Sequence, residues 1–367
     1  MEDAKIVYVE SDSELKDACA LLLQQDCVAV DTEFFRETTY YPVAAIIQLY
    51  AGVNIYIVDC LTIEDWEPLR LLFISKDCLK LLHSCSEDLE IFRLILECEP
   101  DYFIDTQIAA AIAGHGFSVG YQNLVAKLLD VEIDKEQTRS DWLQRPLSAK
   151  QIHYAANDVR WLIHVWRHLK VELEQAGRLA WCFQDCDGLL NLPLTADDFN
   201  DNAYLRVKAA WRLDAEQLNI LKQLCSWRED IAQQKDVPRS RIISDACAIE
   251  LAIKQPKDEQ GLLRLQQLRG AARRAYGQTI IMEINAASAI SQELWPSVLV
   301  DKSAPLFRRK LKLLKTLIAD EARIHSLPPE ILGRKKELEL FLASPETSLL
   351  TQGWRGEILK DKISKIE

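Results

Sequence analysis

The sequence predicts an α/β domain on a mixed sheet followed by two all-α helical domains, and three observations carry that reading. Short β-branched runs alternate with helix-like segments through the first half, the pattern of a layered α/β domain. After Leu189-Leu190-Asn191-Leu192-Pro193-Leu194 the strand signals stop and the rest reads as helix. Charge divides at the same place: residues 1–192 carry 32 Asp and Glu against 16 Lys and Arg, whereas residues 193–367 carry 24 against 28. A chain of 367 residues also exceeds one comfortable core, because domains cluster at roughly 100–200 residues.

The elements follow in order. A short β-like run comes straight after the acidic N-terminus. Cys27–Asp31, Ala45–Tyr50 and Ile55–Asp59 are short and rich in β-branched residues, so they read as strands, and the tight Ala51-Gly52-Val53-Asn54 turn makes the last two a hairpin. Next come a helix around Asp65–Phe73, a strand over Leu79–His83, a helix over Ser86–Leu96, a strand over Tyr102–Ile104 and a short helix through Ile108–Ile112. The sheet is expected to be antiparallel at its start and mixed overall. Ser148 and Gln151 make a capping-box signature, with Pro146 upstream and Gly177 as a stop, which predicts one long helix over Ala149–Ala176. Ile152, Ala155, Val159, Leu162, Trp166 and Leu169 recur along one stripe of it that should pack on the sheet. The polar stretch Thr195–Asn202 reads as a linker. Beyond it, Leu221, Lys222, Leu224, Asp230, Ala232 and Pro238 line up with Leu311, Lys312, Leu314, Asp320, Ala322 and Pro328, a repeat of about 90 residues. Each copy is an amphipathic helix, a proline-containing turn and a second helix, with a boundary near Ser288–Ser297. The expected domains are 1–192, 203–288 and 296–367.

Composition excludes several classes. Met1-Glu2-Asp3-Ala4-Lys5 lacks the order of a signal peptide, and no apolar run approaches the roughly 18 residues of a membrane span, so a cytoplasmic protein without membrane contact is expected. Ten cysteines are scattered without a Cys-x-x-Cys pair, the pattern of reduced thiols rather than a disulfide framework or a zinc site; Cys182-x-x-x-Cys186 is the nearest approach to a metal pair. With 49% hydrophobic residues the chain has no reason to be disordered. The net charge of −12 speaks against a simple nucleic-acid binder, yet an acidic half joined to a mildly basic one fits a catalytic domain with clustered carboxylates beside domains that can meet phosphates. No Gly-rich phosphate loop is evident, which disfavours a small-molecule nucleotide enzyme. Nothing resembles an exposed coiled-coil seam, so a monomer is expected.

Asp31 and Glu33 sit at i and i+2 at the end of a buried strand, so if the strand continues through them both carboxylates share a face. Two anions side by side repel, and a divalent cation removes that penalty. An isolated Asp-x-Glu is more often a turn cap beside a solvated acid. Tyr154 and Asp158 are i and i+4 on the long helix, within reach of each other, although a buried tyrosine with an acid partner explains that pair as well. Asp88 begins a helix after a strand, where the helix dipole favours an acid in any protein, as it would Glu87 and Glu90.

Taken together, Val30-Asp31-Thr32-Glu33-Phe34, Tyr40-Tyr41-Pro42, Ile47-Gln48-Leu49, His83-Ser84-Cys85-Ser86-Glu87-Asp88-Leu89-Glu90, Asp105-Thr106-Gln107, Ser140-Asp141-Trp142-Leu143-Gln144-Arg145-Pro146-Leu147 and Tyr154-Ala155-Ala156-Asn157-Asp158 resemble, in order and spacing, the exonuclease motifs of the ribonuclease D family. Trp211-Arg212-Leu213, Leu224-Cys225-Ser226-Trp227-Arg228 and Val237-Pro238 resemble the helical domain shared by RecQ-type helicases and ribonuclease D, called HRDC. The resemblance spans the whole chain, and Tyr154 places it in the tyrosine branch of the DEDD exonucleases. It implies a ribonuclease H-like exonuclease domain with two HRDC-type domains, and a 3′–5′ exoribonuclease acting on structured RNA, above all tRNA precursors with trailing 3′ nucleotides.

The resemblance also implies that Asp31, Glu33, Asp88 and Asp158 hold two Mg²⁺ or Mn²⁺ ions, that Tyr154 orients the attacking water, and that 5′-nucleotide monophosphates leave one at a time. Oxygen-only ligands suit those hard cations. Asp105 is expected to be a helix cap rather than a fifth ligand, His83 a structural hydrogen-bonding residue, and His164 and His168 surface residues. Phe34, Gln48 and Trp142 could meet the terminal nucleotides, with packing the safer reading. Arg206/Lys208/Arg212, Arg264/Arg269/Arg273/Arg274, Arg308/Arg309/Lys310/Lys312/Lys315 and Arg334/Lys335/Lys336 are candidate phosphate contacts, set against the commoner role of such clusters as solvated faces. Two rivals stand beside this reading. A DNA 3′–5′ exonuclease would use the same carboxylates, and a catalytically silent RNA-binding scaffold would have lost at least one of them.

Overall fold

The computed structural model describes residues 4–133, 140–190, 200–364 and 366. They group into two compact units: Met1–Phe35 with Pro42–Asn191 and Lys310–Glu367, and Arg36–Tyr41 with Leu192–Arg309.

The first unit is built on a sheet of six strands: β1 (Lys5–Val9), β2 (Cys27–Phe35), β3 (Val43–Tyr50), β4 (Asn54–Asp59), β5 (Leu79–Leu82) and β6 (Phe103–Asp105). Their spatial order is β1-β4-β3-β2-β5-β6. The β2–β3 and β3–β4 pairs are antiparallel and the β1–β4, β2–β5 and β5–β6 pairs parallel, so the sheet is mixed as expected. β2 runs four residues past the predicted end at Asp31, because β3 offers ladder partners down to Val43 opposite Phe35. A register shift between Glu33 and Phe34 leaves Ala45 without a partner on β2, and the Ala45 carbonyl accepts from Cys60 N–H (3.1 Å) and Arg145 Nη2 (2.9 Å).

Among the described residues, the helices that flank this sheet are, in chain order, α1 (Asp12–Leu22), α2 (Glu67–Ile74), α3 (Ser86–Leu96), α4 (Thr106–Ala113), α5 (Tyr121–Leu129), α6 (Ala149–Arg160), α7 (Leu162–Gln175) and α8 (Leu179–Asp187). The sequence reading assigns nothing to α1, α5 and α8, although Ser11 and Glu14 form a complete capping box at the start of α1. The single helix expected over Ala149–Ala176 is corrected to two. Its capping box at Ser148 is present, but the chain leaves helical geometry at Trp161 (φ −103°, ψ −6°). The physical reason is the Tyr121 hydroxyl, which donates to the Asn157 carbonyl (3.0 Å) and accepts from Trp161 N–H (3.1 Å).

The second unit is helical, with α9 (Ala215–Gln234), α10 (Arg239–Ile242), α11 (Asp245–Lys254), α12 (Glu259–Leu263) and α13 (Gly270–Ser288). α9 is its axis, and Leu218, Leu221, Leu224 and Cys225 pack with Ile280, Ile284 and Leu251 in one core. The fully buried Arg228 donates from Nη1 to the Ile243 carbonyl (3.2 Å) and to Asp245 (2.9 Å). Tyr40 and Tyr41, in the short segment grouped with this unit, both donate backbone N–H to Asp236 Oδ1 (2.9 and 3.0 Å), and the Tyr40 hydroxyl donates to Glu229 (2.9 Å). Of the expected linker, 195–199 lies outside the described residues; Asn200 is buried and donates to Asp230 (2.5 Å), so that end is packed rather than loose.

The chain then continues through α14 (Pro305–Ile324), α15 (Pro329–Leu332), α16 (Lys335–Ala343) and α17 (Gly353–Ile363). α14 and α9 are both 20 residues long, and each precedes a short helix that follows a proline, so the sequence repeat is a repeat of structure. From Lys310 onward these helices belong to the first unit. Leu314, Ile318, Phe341, Trp354 and Leu359 share one buried cluster with Leu169, Cys182 and Cys186. Trp354 stacks on Trp181 at 4.6 Å between ring centroids, and Arg355 grips Asp185 with two bonds of 2.6 Å. Gly114 has φ +93°, and a Cβ there would stand 2.9 Å from the Ser326 carbonyl, so the close approach of the two segments requires glycine. Among the described residues no helix is long and apolar enough to cross a membrane.

Candidate active site

β2 sets the first two acids. Because the strand passes through Asp31, Thr32 and Glu33 without interruption, the two carboxylates emerge on one face and Thr32 points to the other. α6 supplies the third: an oxygen from each of Asp31, Glu33 and Asp158 lies within 4.8 Å of the others. Tyr154, one turn before Asp158, hydrogen-bonds its carboxylate. Asp88 stands outside that set of three. It is buried near the start of α3, and one of its oxygens accepts the Thr32 hydroxyl.

Such crowding has an electrostatic signature. Burial first, then Asp88, Asp158 and Glu33, push the Asp31 carboxyl well above the ordinary range. Burial with Asp158 and Asp88 pushes Glu33 up to about 9. Burial pushes Asp158 up to about 8, opposed by its hydrogen bond from Tyr154. Asp88 rises to about 6, again chiefly by burial, with the Thr32 hydrogen bond holding it down. Burial and then Asp158, Glu33 and Asp31 raise the Tyr154 hydroxyl above its ordinary value, so it keeps its proton at neutral pH.

These residues fit divalent cations. Asp158 Oδ2 is buried with no hydrogen-bond partner among the described residues, a costly state for an ionised oxygen. A cation placed among the three acids would satisfy that atom and remove the mutual repulsion, and an all-oxygen donor set suits a hard ion.

The surrounding residues brace this arrangement. Asp105 accepts from the N–H groups of Ser84 (3.0 Å), Cys85 (2.9 Å) and Gln107 (2.8 Å), so it caps α4 and fixes the turn that launches α3 and Asp88. His83 pairs with Thr106 Oγ1 (2.9 Å) and the Val119 carbonyl (3.1 Å), a structural role. Trp142 is buried, its ring 6.0 Å from that of Tyr154, and Gln48 is fully buried opposite Asp31 in the β2–β3 register. Phe34 is half-buried, His164 half-buried and His168 exposed. Thr32 and the Arg145–Asp59 pair escape sequence reasoning as functional residues. Arg145 Nε and Nη2 bond Asp59 at 2.5 and 2.7 Å while Nη1 holds the Trp142 carbonyl at 2.7 Å, which fixes the loop beneath Tyr154. Only the run Gln144-Arg145-Pro146 hinted at it.

Of the basic clusters, Arg206, Lys208, Arg212, Arg264, Arg269, Arg274, Arg308, Arg309, Lys312 and Lys315 are exposed, whereas Arg273 and Lys310 are half-buried. Arg334 is paired with Glu337 (2.5 Å) and Lys335 with Glu339 (3.5 Å), the behaviour of a solvated helix face.

An acid trio that fits divalent ions on a mixed sheet, with a protonated tyrosine at one of its members, is a site suited to phosphodiester hydrolysis, and comparison with known proteins places the fold among 3′–5′ exonucleases. A family model described as 3′-5′ exonuclease matches residues 6–174, which contain every one of these acids, and an HRDC domain model matches residues 217–284. Ribonuclease D of Pseudomonas paraeruginosa is 36% identical over 360 residues, covering 96% of this chain and 95% of that protein. Ribonuclease D of Shewanella sp. is 34% identical, covering 98% and 94%. The crystal structure of Escherichia coli RNase D, described as an exoribonuclease involved in structured RNA processing, superposes with a TM-score of 0.91 at 30% identity, covering 99% of this chain and 98% of that one. The chain belongs to the ribonuclease D family, and it is a 3′–5′ exoribonuclease.

Proposed function

We propose that this exoribonuclease trims structured RNA, notably the 3′ trailers of tRNA precursors, releasing 5′-nucleotide monophosphates one at a time. The observation that carries the chemistry is the convergence of the Asp31, Glu33 and Asp158 oxygens within 4.8 Å. Asp31, Glu33, Asp88 and Asp158 would hold two Mg²⁺ or Mn²⁺ ions, with one Asp88 oxygen tethered by the Thr32 hydroxyl. When bound, such ions supply charge neutralisation at the phosphodiester and acidify the attacking water.

The remaining work falls to the protein. Tyr154 stays protonated, so its hydroxyl orients the water rather than deprotonating it. Trp142 behind it, held by Arg145, keeps that hydroxyl in place. The chain is read as a cytoplasmic monomer with an exonuclease domain over 1–192 and HRDC-type domains over 203–288 and 296–367, whose exposed arginines and lysines meet RNA phosphates. Two findings support the RNA reading: the similarity to ribonuclease D over nearly the full length, and the involvement of the Escherichia coli protein in structured RNA processing.

The test is a tRNA carrying a few extra 3′ residues against a matched DNA, with Mg²⁺ or EDTA. Stepwise release of monophosphates from the RNA is expected, abolished by EDTA and reduced by about 10²-fold to 10⁴-fold in Asp158→Ala. Faster attack on the DNA would replace the RNA reading by a DNA exonuclease.

A further inference from the structure

The helix that carries Asp158 is interrupted three residues further on by a side chain from elsewhere in the unit. In a continuous helix the Asn157 carbonyl would receive the Trp161 N–H directly. Here the Tyr121 hydroxyl takes both groups, donating to Asn157 O at 3.0 Å and accepting from Trp161 N at 3.1 Å. The two groups bracket Asp158 in sequence, so the wedge holds open the turn from which that carboxylate projects.

Tyr121 is itself held in place. It begins α5, and the Val119 carbonyl just before it accepts from Gln107 Nε2 (3.3 Å) and pairs with His83 Nε2 (3.1 Å). The His83 ring lies 5.6 Å from the Tyr121 ring. Thr106 fixes the other side of that imidazole, and Asp105 next to it anchors the turn leading to Asp88. One brace thus reaches the turn before Asp88 and the turn around Asp158.

We propose that Tyr121 is a positioning residue for the reaction, its hydroxyl wedged between Asn157 and Trp161 so that the Asp158 carboxylate faces Asp31 and Glu33 at the spacing a metal ion needs. The proposal rests on the reading of Asp158 as a metal ligand. Without the hydroxyl the Asn157 carbonyl and Trp161 N–H are free to pair with each other, the turn closes, and Asp158 Oδ2 moves away from its neighbours. Ligand geometry tolerates errors of only about 0.5 Å, so a shift of that size is felt at the metal before it is felt by the fold. A tyrosine that only satisfied two buried backbone groups would affect stability alone.

The test compares the full-length wild type with Tyr121→Phe, Asp158→Ala and, as a control for loss of a tyrosine hydroxyl elsewhere in the unit, Tyr56→Phe. Among the described residues, Tyr56 Oη accepts one long bond, from Asn54 (3.3 Å). Mn²⁺ binding is measured by calorimetry without substrate, alongside kcat, KM and Tm. Tyr121→Phe is expected to weaken Mn²⁺ binding and lower kcat by about 10-fold to 100-fold, as loss of a supporting residue does, with KM and Tm close to those of Tyr56→Phe. If Asp158→Ala loses Mn²⁺ while Tyr121→Phe binds it like the wild type, the proposal falls and the ligand reading stands. If Asp158→Ala binds Mn²⁺ like the wild type, the ligand reading falls and takes the proposal with it.

Discussion

Burial makes Asp31, Glu33 and Asp158 harder to ionise, Asp158 adds to the rise at the other two, and the consequence is a pH dependence with a definite sign. Their reference values near 4 apply in the unfolded chain, whereas in the folded metal-free protein Glu33 titrates at about 9 and Asp158 at about 8. Between those limits the folded state holds protons that the unfolded state has released. The stability of the metal-free protein therefore falls as pH rises through the folded values. A divalent ion competes for the same oxygens, so metal binding displaces protons and tightens with rising pH. The Tm gain on adding Mn²⁺ is expected to be larger at about pH 8.5 than at about pH 6.5, as scanning calorimetry would read. Equal gains at both pH values would mean that the trio does not hold the ion. At this scale the sequence was informative but incomplete. The i, i+2 spacing of Asp31 and Glu33 and the i, i+4 spacing of Tyr154 and Asp158 state which groups can share a face. Thr32 carries no such mark, because its partner Asp88 lies 56 residues away.

Elements were legible where the cause is local. β2, β3 and β4 follow from β-branched runs, and α6 begins where Ser148 and Gln151 cap it. The break at Trp161 was illegible because its cause, the Tyr121 hydroxyl, comes from 40 residues upstream, while the hydrophobic stripe continues across it undisturbed. The loop from Asp141 to Pro146 is a similar case. Asp59 is buried at the end of β4, and burial works to raise its carboxyl, yet hydrogen bonds from Arg145 and Tyr8 win and hold it below the usual carboxylate range. Arg145→Met keeps the bulk and removes the charge, leaving Asp59 buried with its main partner gone. A loss of about 3 kcal/mol in urea unfolding is expected, the magnitude seen when one member of a buried pair is removed. The kcat should fall with it as Trp142 loses its anchor beneath Tyr154. A variant within about 0.5 kcal/mol of wild type would show that the pair behaves like a surface contact.

The molecule as a whole departs most from a linear reading of its sequence. The repeat of about 90 residues was visible, and both copies have the same build. Their placement was not visible, because Trp354 stacks on Trp181 and bonds Asp185 in α8, well over a hundred residues earlier. Trp354→Ala removes a ring that is 2% exposed and stacked on Trp181. It is expected to cost about 3–5 kcal/mol, the range for a large buried aromatic. Because the cluster is continuous with that of the sheet, exonuclease activity and the hydrogen-exchange protection of the helices over 310–363 should be lost in one urea transition. Loss of the helices in a first step, with activity surviving, would show that the two parts unfold independently.

That shared core also sets an order of events during synthesis. Chains fold from the N-terminus as they emerge, each domain closing once its own residues are out. Here the acids at 31, 33, 88 and 158 leave the ribosome long before Leu314, Phe341 and Trp354, which the catalytic unit needs to complete its core. A nascent chain therefore carries its nuclease half in an unfinished state while it is still tethered among ribosomal and messenger RNA, and the enzyme matures only once the C-terminal helices have been translated.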